Sequence, residues 1–147
     1  MKLLAKTTMK VLTSRLFLRL LGLCLGAIFV YASLDKIAYP DRFADILHDY
    51  DMLPLMLVNA FALVVPWLEM VTGLTLILGV WHRAAGLLAT ALAVAFLVSI
   101  AQAQIRGLDV ECGCFDLTGL SATKANWGLF LRDLGLLAGS ALLWRSP

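Results

Sequence analysis

Long apolar runs alternate with short polar ones along this chain, and the lengths of the runs set its architecture. A helix needs roughly 17–25 apolar residues to cross a bilayer, and four such windows are present, at 16–34, 55–80, 84–103 and 127–143. Lipid offers no partner for backbone polar groups, so each window is expected as a helix. The first is the weakest, because Arg19 interrupts it near its start. After it, Tyr39-Pro40-Asp41 leads into Phe43, Ile46, Leu47 and Tyr50. These apolar residues recur three and four apart, which predicts a short amphipathic helix at the membrane surface. Pro54 then precedes the second window. Gly22 with Gly26, and Gly135 with Gly139, stand four apart, a spacing that lets the chain's own helices approach closely in lipid. No linker, low-complexity tract or second domain is visible, so residues 1–147 read as a single all-α membrane domain, a four-transmembrane-helix bundle.

Composition supports a chain whose solvent is lipid. Of 147 residues, 61% are hydrophobic and 15% charged, against roughly 45–50% and 25% in soluble domains. Mean hydropathy is +0.89. A net charge of +2 is too small to argue for a nucleic-acid partner, and no nucleic-acid-binding motif is present. The placement of the cations is more informative. Lys2, Lys6, Lys10 and Arg15 precede the first window and Arg19 lies at its inner edge; His82 and Arg83 fall in the second turn, and Arg145 near the C-terminus. The segment from Asp35 to Asp51 has only Lys36 and Arg42 against five aspartates, and the segment after the third window only Arg106 and Lys124. Cytoplasmic segments carry the positive excess. Both termini are therefore expected in the cytoplasm, with segments 35–54 and 104–126 outside. A cleaved signal peptide over residues 1–32 is the rival reading, since a Lys-rich start, an apolar stretch from Leu20 to Val30 and Ala32 fit that pattern. It would leave three helices and the same topology for the rest, and the four-span reading is carried forward.

Three groups of residues can carry chemistry. Glu69 falls near the middle of the second window, where an ionisable side chain is costly and faces protein or water. It shares a helical stripe with Asn59, Ala62, Pro66 and Gly73, and Pro66 removes a backbone donor from that stripe. A structural Glu that holds helices together is an equally weighted reading. Arg132-Asp133 lies in the fourth window. Adjacent helical residues point about 100° apart and are not expected to face each other as a pair. Arg132 shares a side with Gly128, Gly135 and Gly139, which predicts its burial. Asp35 and Lys36, at the outer end of the first window, are at a suitable depth for Asp35 to meet Arg132 and Lys36 to meet Asp133; Glu69 lies deeper, as a partner for Arg132 only if that side chain reaches inward. Structural pairing at a helix end is the bland account of these charges.

Cys112-Gly113-Cys114-Phe115 is the strongest signal. Outside the cytoplasm thiols meet a disulfide-permissive environment. A disulfide across one residue closes a very small ring near the limit of the usual Cα separation, and Gly113 relieves that limit. So tight a ring gains little as a staple, whereas strained disulfides are the exchangeable ones. Metal capture is the competing account: two soft thiolates suit Cu(I) or zinc, with His48 and Met52 on the same side, but no four-ligand set is written in the sequence. Redox exchange ranks above metal capture, and an inert pair below both. Cys24, alone among Leu and Gly, is expected as a buried small apolar residue.

With Leu34-Asp35-Lys36-Ile37, Pro40 and Phe43, then Pro66-Trp67-Leu68-Glu69 and Gly73, then Arg106-Gly107, Cys112-Gly113-Cys114-Phe115 and Arg132-Asp133, the chain resembles the DoxX-like membrane proteins and, within them, the MauE (methylamine utilisation) branch. The likeness covers about residues 16–143. Ser33 stands where a glycine is common, and Asp116 where a glycine often follows the phenylalanine. The resemblance implies a four-helix bundle of the bacterial inner membrane, engaged in thiol–disulfide chemistry outside the cytoplasm beside a thioredoxin-like or other periplasmic thiol protein. It also brings in a quinone as an electron acceptor, although no cofactor is fixed by the residues. The expected function is a membrane thiol–disulfide oxidoreductase or electron-transfer component using Cys112 and Cys114, with Glu69, Arg132, Asp133, Asp35 and Lys36 as supporting intramembrane polar residues. The alternative is a metal-handling or assembly protein without redox turnover. The topology has a direct test: cysteine labelling or reporter fusions should place residue 83 and both termini in the cytoplasm and residues 45 and 112 outside. Labelling of residue 112 only from the cytoplasmic side would overturn the compartment argument.

Overall fold

The computed structural model describes residues 14–51, 53–107 and 127–146. They form five helices: α1 (Arg15–Ala38), α2 (Pro40–Asp49), α3 (Leu55–Leu78), α4 (His82–Arg106) and α5 (Trp127–Arg145). Local chemistry explains the boundaries. The Ser14 hydroxyl accepts from the Phe17 N–H and starts α1. The residue before a proline avoids helical angles; Tyr39 accordingly leaves the helix at φ −128°, and Pro40 opens α2, where its missing N–H costs nothing. Gly79 ends α3 in the left-handed region at φ 69°, a conformation glycine adopts without a steric penalty. Gly107 ends α4 in the same way.

Three helices, α1, α3 and α4, are long and apolar enough to cross a membrane, and the protein is a multi-pass membrane protein. The fourth expected window is also helical, as α5. It is not among the three by length and composition, because Arg132 and Asp133 stand in its first half. The amphipathic segment is helical too. As α2 it sets Phe43 and Ile46, with Tyr50 at its C-cap, against Ala62 of α3 and Ala103 of α4. Elsewhere large apolar side chains face outward, among them Leu63, Val64, Trp67 and Val71 of α3, as a surface in contact with lipid requires.

The helices associate as two antiparallel pairs, α1 with α3 and α4 with α5, joined more sparingly along α3–α4 and α1–α5. Apolar side chains gain nothing by leaving lipid for one another, so small residues that admit close backbones matter most. At the α1–α3 crossing Gly26 faces Gly73: a Cβ on Gly26 would stand 2.6 Å from the Gly73 carbonyl oxygen. Gly139 of α5 meets Leu21 and Leu25 of α1, whereas a Cβ on Gly135 would meet nothing within 4 Å. Gly86, which no spacing singled out, receives the α5 backbone at Trp144.

Two expectations about facing are corrected. The buried stripe of α3 runs Val58, Ala62, Pro66, Glu69, Gly73, and Asn59 is exposed; one position of rotation at the helix start turns its amide outward. Cys24 is exposed rather than buried, because Gly22, Leu25 and Gly26 take the inward face of α1. The glycine contacts make a clear forecast. Gly26→Ala should destabilise the protein by about 1–3 kcal/mol, the usual cost of overpacking, while Gly135→Ala should not. Reversible unfolding in bicelles measures both, and equal effects would show that the α1–α3 approach is not limiting.

Candidate functional site

The side chains of Lys36 and Glu69 are 1% and 2% exposed, and they meet inside the protein. The Lys36 ammonium donates to both carboxylate oxygens of Glu69, each at 2.9 Å. Two aromatic faces complete the enclosure, with Nζ 5.4 Å from the centroid of Phe43 and 4.8 Å from that of Phe96. The four residues come from α1, α3, α2 and α4 respectively, so every described helix except α5 contributes one group to this junction. An ammonium over phenyl rings is attracted by the ring quadrupole, more strongly once water is removed.

Helix direction explains a partnership that depth along the sequence does not reveal. From the Gly26–Gly73 crossing, Lys36 lies ten residues up α1, about 15 Å, and Glu69 four residues up α3, about 6 Å. The remaining gap, roughly 9 Å, is closed by the side chains. Helical side chains lean toward their own N-terminus. In an antiparallel pair Lys36 therefore leans down as Glu69 leans up, and two of the longer side chains span the interval. The expected Lys36–Asp133 contact is replaced by this pair.

The second charged pair also departs from expectation. Arg132 and Asp133 do bond: the Arg132 Nε donates to Asp133 Oδ1 at 2.9 Å and its Nη2 at 2.7 Å. Their Cβ atoms diverge, but the long arginine stem folds round to the next residue. Asp133 is the buried partner, its side chain 5% exposed against 33% for Arg132. The inward face of α5 thus carries Asp133 and Ser140 rather than the Arg132 side. Asp35 is half-buried, one position round α1 from Lys36.

Both pairs border one small cavity of about 40 Å³ walled by Phe29, Ala93 and Phe96, a volume sufficient for a water molecule. A larger, apolar cavity of about 460 Å³ lies under α2, between α3 and α4, with Phe43, Tyr50, Phe61 and Phe96 in its wall. Phe96 lines both spaces and stands between the ion pair and the apolar cavity. Sequence reasoning missed it, although it is the one aromatic residue in α4. Cys112 and Cys114 lie outside the described residues, as does Met52. Segment 108–126, which holds the cysteines, joins the end of α4 to the start of α5. Among the described residues no group of three or more His, Cys, Asp or Glu could hold a metal ion, and His48 is exposed on α2.

Fold and site together define a polytopic helical membrane protein organised round a lysine–glutamate pair sealed from water by phenylalanines. Its relatives make the class specific. Residues 14–146 match the family model described as methylamine utilisation protein MauE, and the chain belongs to that family. It is 34% identical over 118 residues to the methylamine utilization protein MauE of Methylorubrum extorquens, covering 79% of this chain and 62% of the relative. It is 31% identical over 119 residues to the protein of the same name from Paracoccus denitrificans, covering 80% and 63%. The chain thus spans less than two thirds of the length of these relatives. No solved structure matches.

The buried pair can be tested by a double-mutant cycle. Lys36→Met and Glu69→Met should each cost about 3–5 kcal/mol, because each strands a charge in a low-dielectric interior. The double variant should cost clearly less than the sum. Strict additivity would mean that the two side chains do not depend on each other.

Proposed function

We propose that this MauE-family protein is a component of a membrane thiol–disulfide relay serving methylamine utilisation, with Cys112 and Cys114 as its exchanging pair. The observation that carries the reading is the Cys112-Gly113-Cys114 spacing on the segment between α4 and α5. That segment leaves the bundle at the end where α2 packs, away from the basic end. In this reading the protein is a single domain of four spans, α1, α3, α4 and α5, in a bacterial inner membrane. Both termini are cytoplasmic and the cysteines periplasmic. The substrate is a dithiol or disulfide on a thioredoxin-like or other periplasmic protein.

The exchange balances without further reagents. A thiolate of one protein attacks a sulfur of the other's disulfide, forming a mixed disulfide and releasing one thiolate. The second thiol of the attacking protein then resolves the mixed disulfide. Two electrons and two protons pass from the dithiol to the disulfide. Glu111 precedes Cys112 and Asp116 follows Cys114 by two, and nearby negative charge disfavours thiolate. Activation therefore calls on cations such as Arg106, Lys124 and Arg132.

The apolar cavity under α2 fits the ring of a lipid-soluble acceptor of the quinone class. Its wall is mainly aliphatic with Phe43, Tyr50, Phe61 and Phe96 among its residues, and Tyr50 and Ser99 are its hydroxyl-bearing ones. A quinone there would accept two electrons and two protons. Phe43 and Phe96 would hold the ring, and the same two side chains exclude water from Lys36 and Glu69. The chain's own contribution is to bind and orient.

Cysteine substitution tests the relay. Replacing only the resolving cysteine by serine should trap a covalent complex with a partner thiol protein, visible on a non-reducing gel. One of Cys112→Ser and Cys114→Ser should trap and the other should not. The reading fails if neither traps a partner and the double serine variant still supports growth on methylamine.

A further inference from the structure

The end of the bundle opposite α2 has a chemistry that the relay does not use. None of the Asp or Glu residues falls before residue 35, between 70 and 108, or after 133. The end built from the start of α1, the α3–α4 turn and the end of α5 therefore has no carboxylate side chain. It does have Arg15, Arg19, His82, Arg83 and Arg145. Three of these line one cavity of about 300 Å³: Arg15 and Arg19 from α1, and His82 from the first residue of α4.

Several features make this cavity more than a solvated basic rim. Arg15 and Arg19 stand four apart on one face of α1, where like charges repel. Arg19 reaches across to the α3–α4 turn, its Nη1 3.5 Å from the Leu78 carbonyl oxygen, too long for a strong bond. Gly79 accommodates it, since a Cβ at that position would overlap the guanidinium. The starts of α1 and α4 both border the cavity, and helix N-termini present positive potential to anions. Trp81 gives α4 no side-chain cap. Among the described residues Arg15 and Arg19, with His82 beside them, converge on this cavity without a carboxylate side chain to meet them, an arrangement suited to an anion.

The surroundings say which anion. Most of the remaining wall is apolar, with Leu18, Leu76 and Leu143 beside the hydroxyl-bearing Ser146. Trp81 is 79% exposed and Trp144 41%, at the same end and close to the ends of their helices, and indoles are enriched at the boundary between hydrocarbon and headgroups. We infer that Arg15, Arg19 and His82 form a binding site for the phosphate of an anionic phospholipid, with its glycerol and first methylenes lying against Leu18, Leu76 and Leu143. Basic pockets between membrane helices take such headgroups.

The test uses the full chain, purified in detergent and offered phosphatidylglycerol or phosphatidylcholine, with bound lipid counted by native mass spectrometry. The wild type should retain one phosphatidylglycerol in preference to phosphatidylcholine. Arg15→Gln and Arg19→Gln should each weaken retention about fivefold, the effect of one cation near a charged lipid surface. Arg83→Gln removes the same charge from the same end without lining the cavity, and should leave retention unchanged. Melting of each variant in phosphatidylcholine alone should match the wild type, since these arginines are exposed. Equal retention of the two lipids would overturn the proposal, as would an Arg83→Gln loss as large as that of Arg19→Gln. Inorganic phosphate provides the remaining arm: stabilisation by phosphate equal to that by phosphatidylglycerol would assign the site to a free anion instead.

Discussion

The bond between Lys36 and Glu69 constrains the bundle more than any other contact. Inside a membrane, apolar packing does little to choose one helix arrangement over another, because lipid is an equally good apolar neighbour. A buried charge is different. It must be paired with good geometry, and an unpaired charge in a low-dielectric interior is far more costly than the pair. Sliding α1 past α3 by one turn, about 5.4 Å, would separate ammonium from carboxylate. The pair thus fixes a register that the Gly26–Gly73 crossing permits at close range. Phe43 and Phe96 draw α2 and α4 to the same point, so one ammonium orients four helices.

This arrangement also separates the two ends of the molecule. Toward α2 lie the acidic segment from Asp35 to Asp51, the apolar cavity and the point where the cysteine-bearing segment is attached. Toward the α3–α4 turn lie cations without carboxylates, beside exposed tryptophans. The family match accounts for the chain as a whole. The geometry gives the two ends different chemistry, acidic with an apolar cavity at one and basic at the other. The ion pair lies between them, in contact with neither bulk phase.

The approximate boundaries of the described helices were legible in the sequence, because hydropathy windows and prolines act locally. The window at 55–80 became α3 at Leu55–Leu78, and the alternation after Pro40 became α2 at Pro40–Asp49. Glycine spacing identified Gly22 and Gly26 as a contact face, since closely packed backbones tolerate little else. The resemblance to the MauE branch rested on ordered motifs spread over nearly the whole chain, and the family match agrees. Facing was less secure: one position of rotation exposed Asn59, and the inward run of Gly22, Leu25 and Gly26 turned Cys24 outward.

Partnership was decided only in three dimensions. Sequence depth assigns each residue the level of its own Cα, and on that scale Lys36 and Glu69 are too far apart to meet. Antiparallel packing adds the lengths of both side chains in the direction that closes the gap, so the pair forms. The same limitation hid Phe96, whose neighbours in the chain are apolar and whose role comes from a lysine sixty residues earlier. Arg132 and Asp133 erred in the opposite direction: their backbone directions diverge, but a long arginine stem overcomes that divergence. The sequence determined which segments are helices and which residues are expensive to bury. The tertiary structure decided who compensates whom, because compensation depends on side-chain reach between helices and not on position along one.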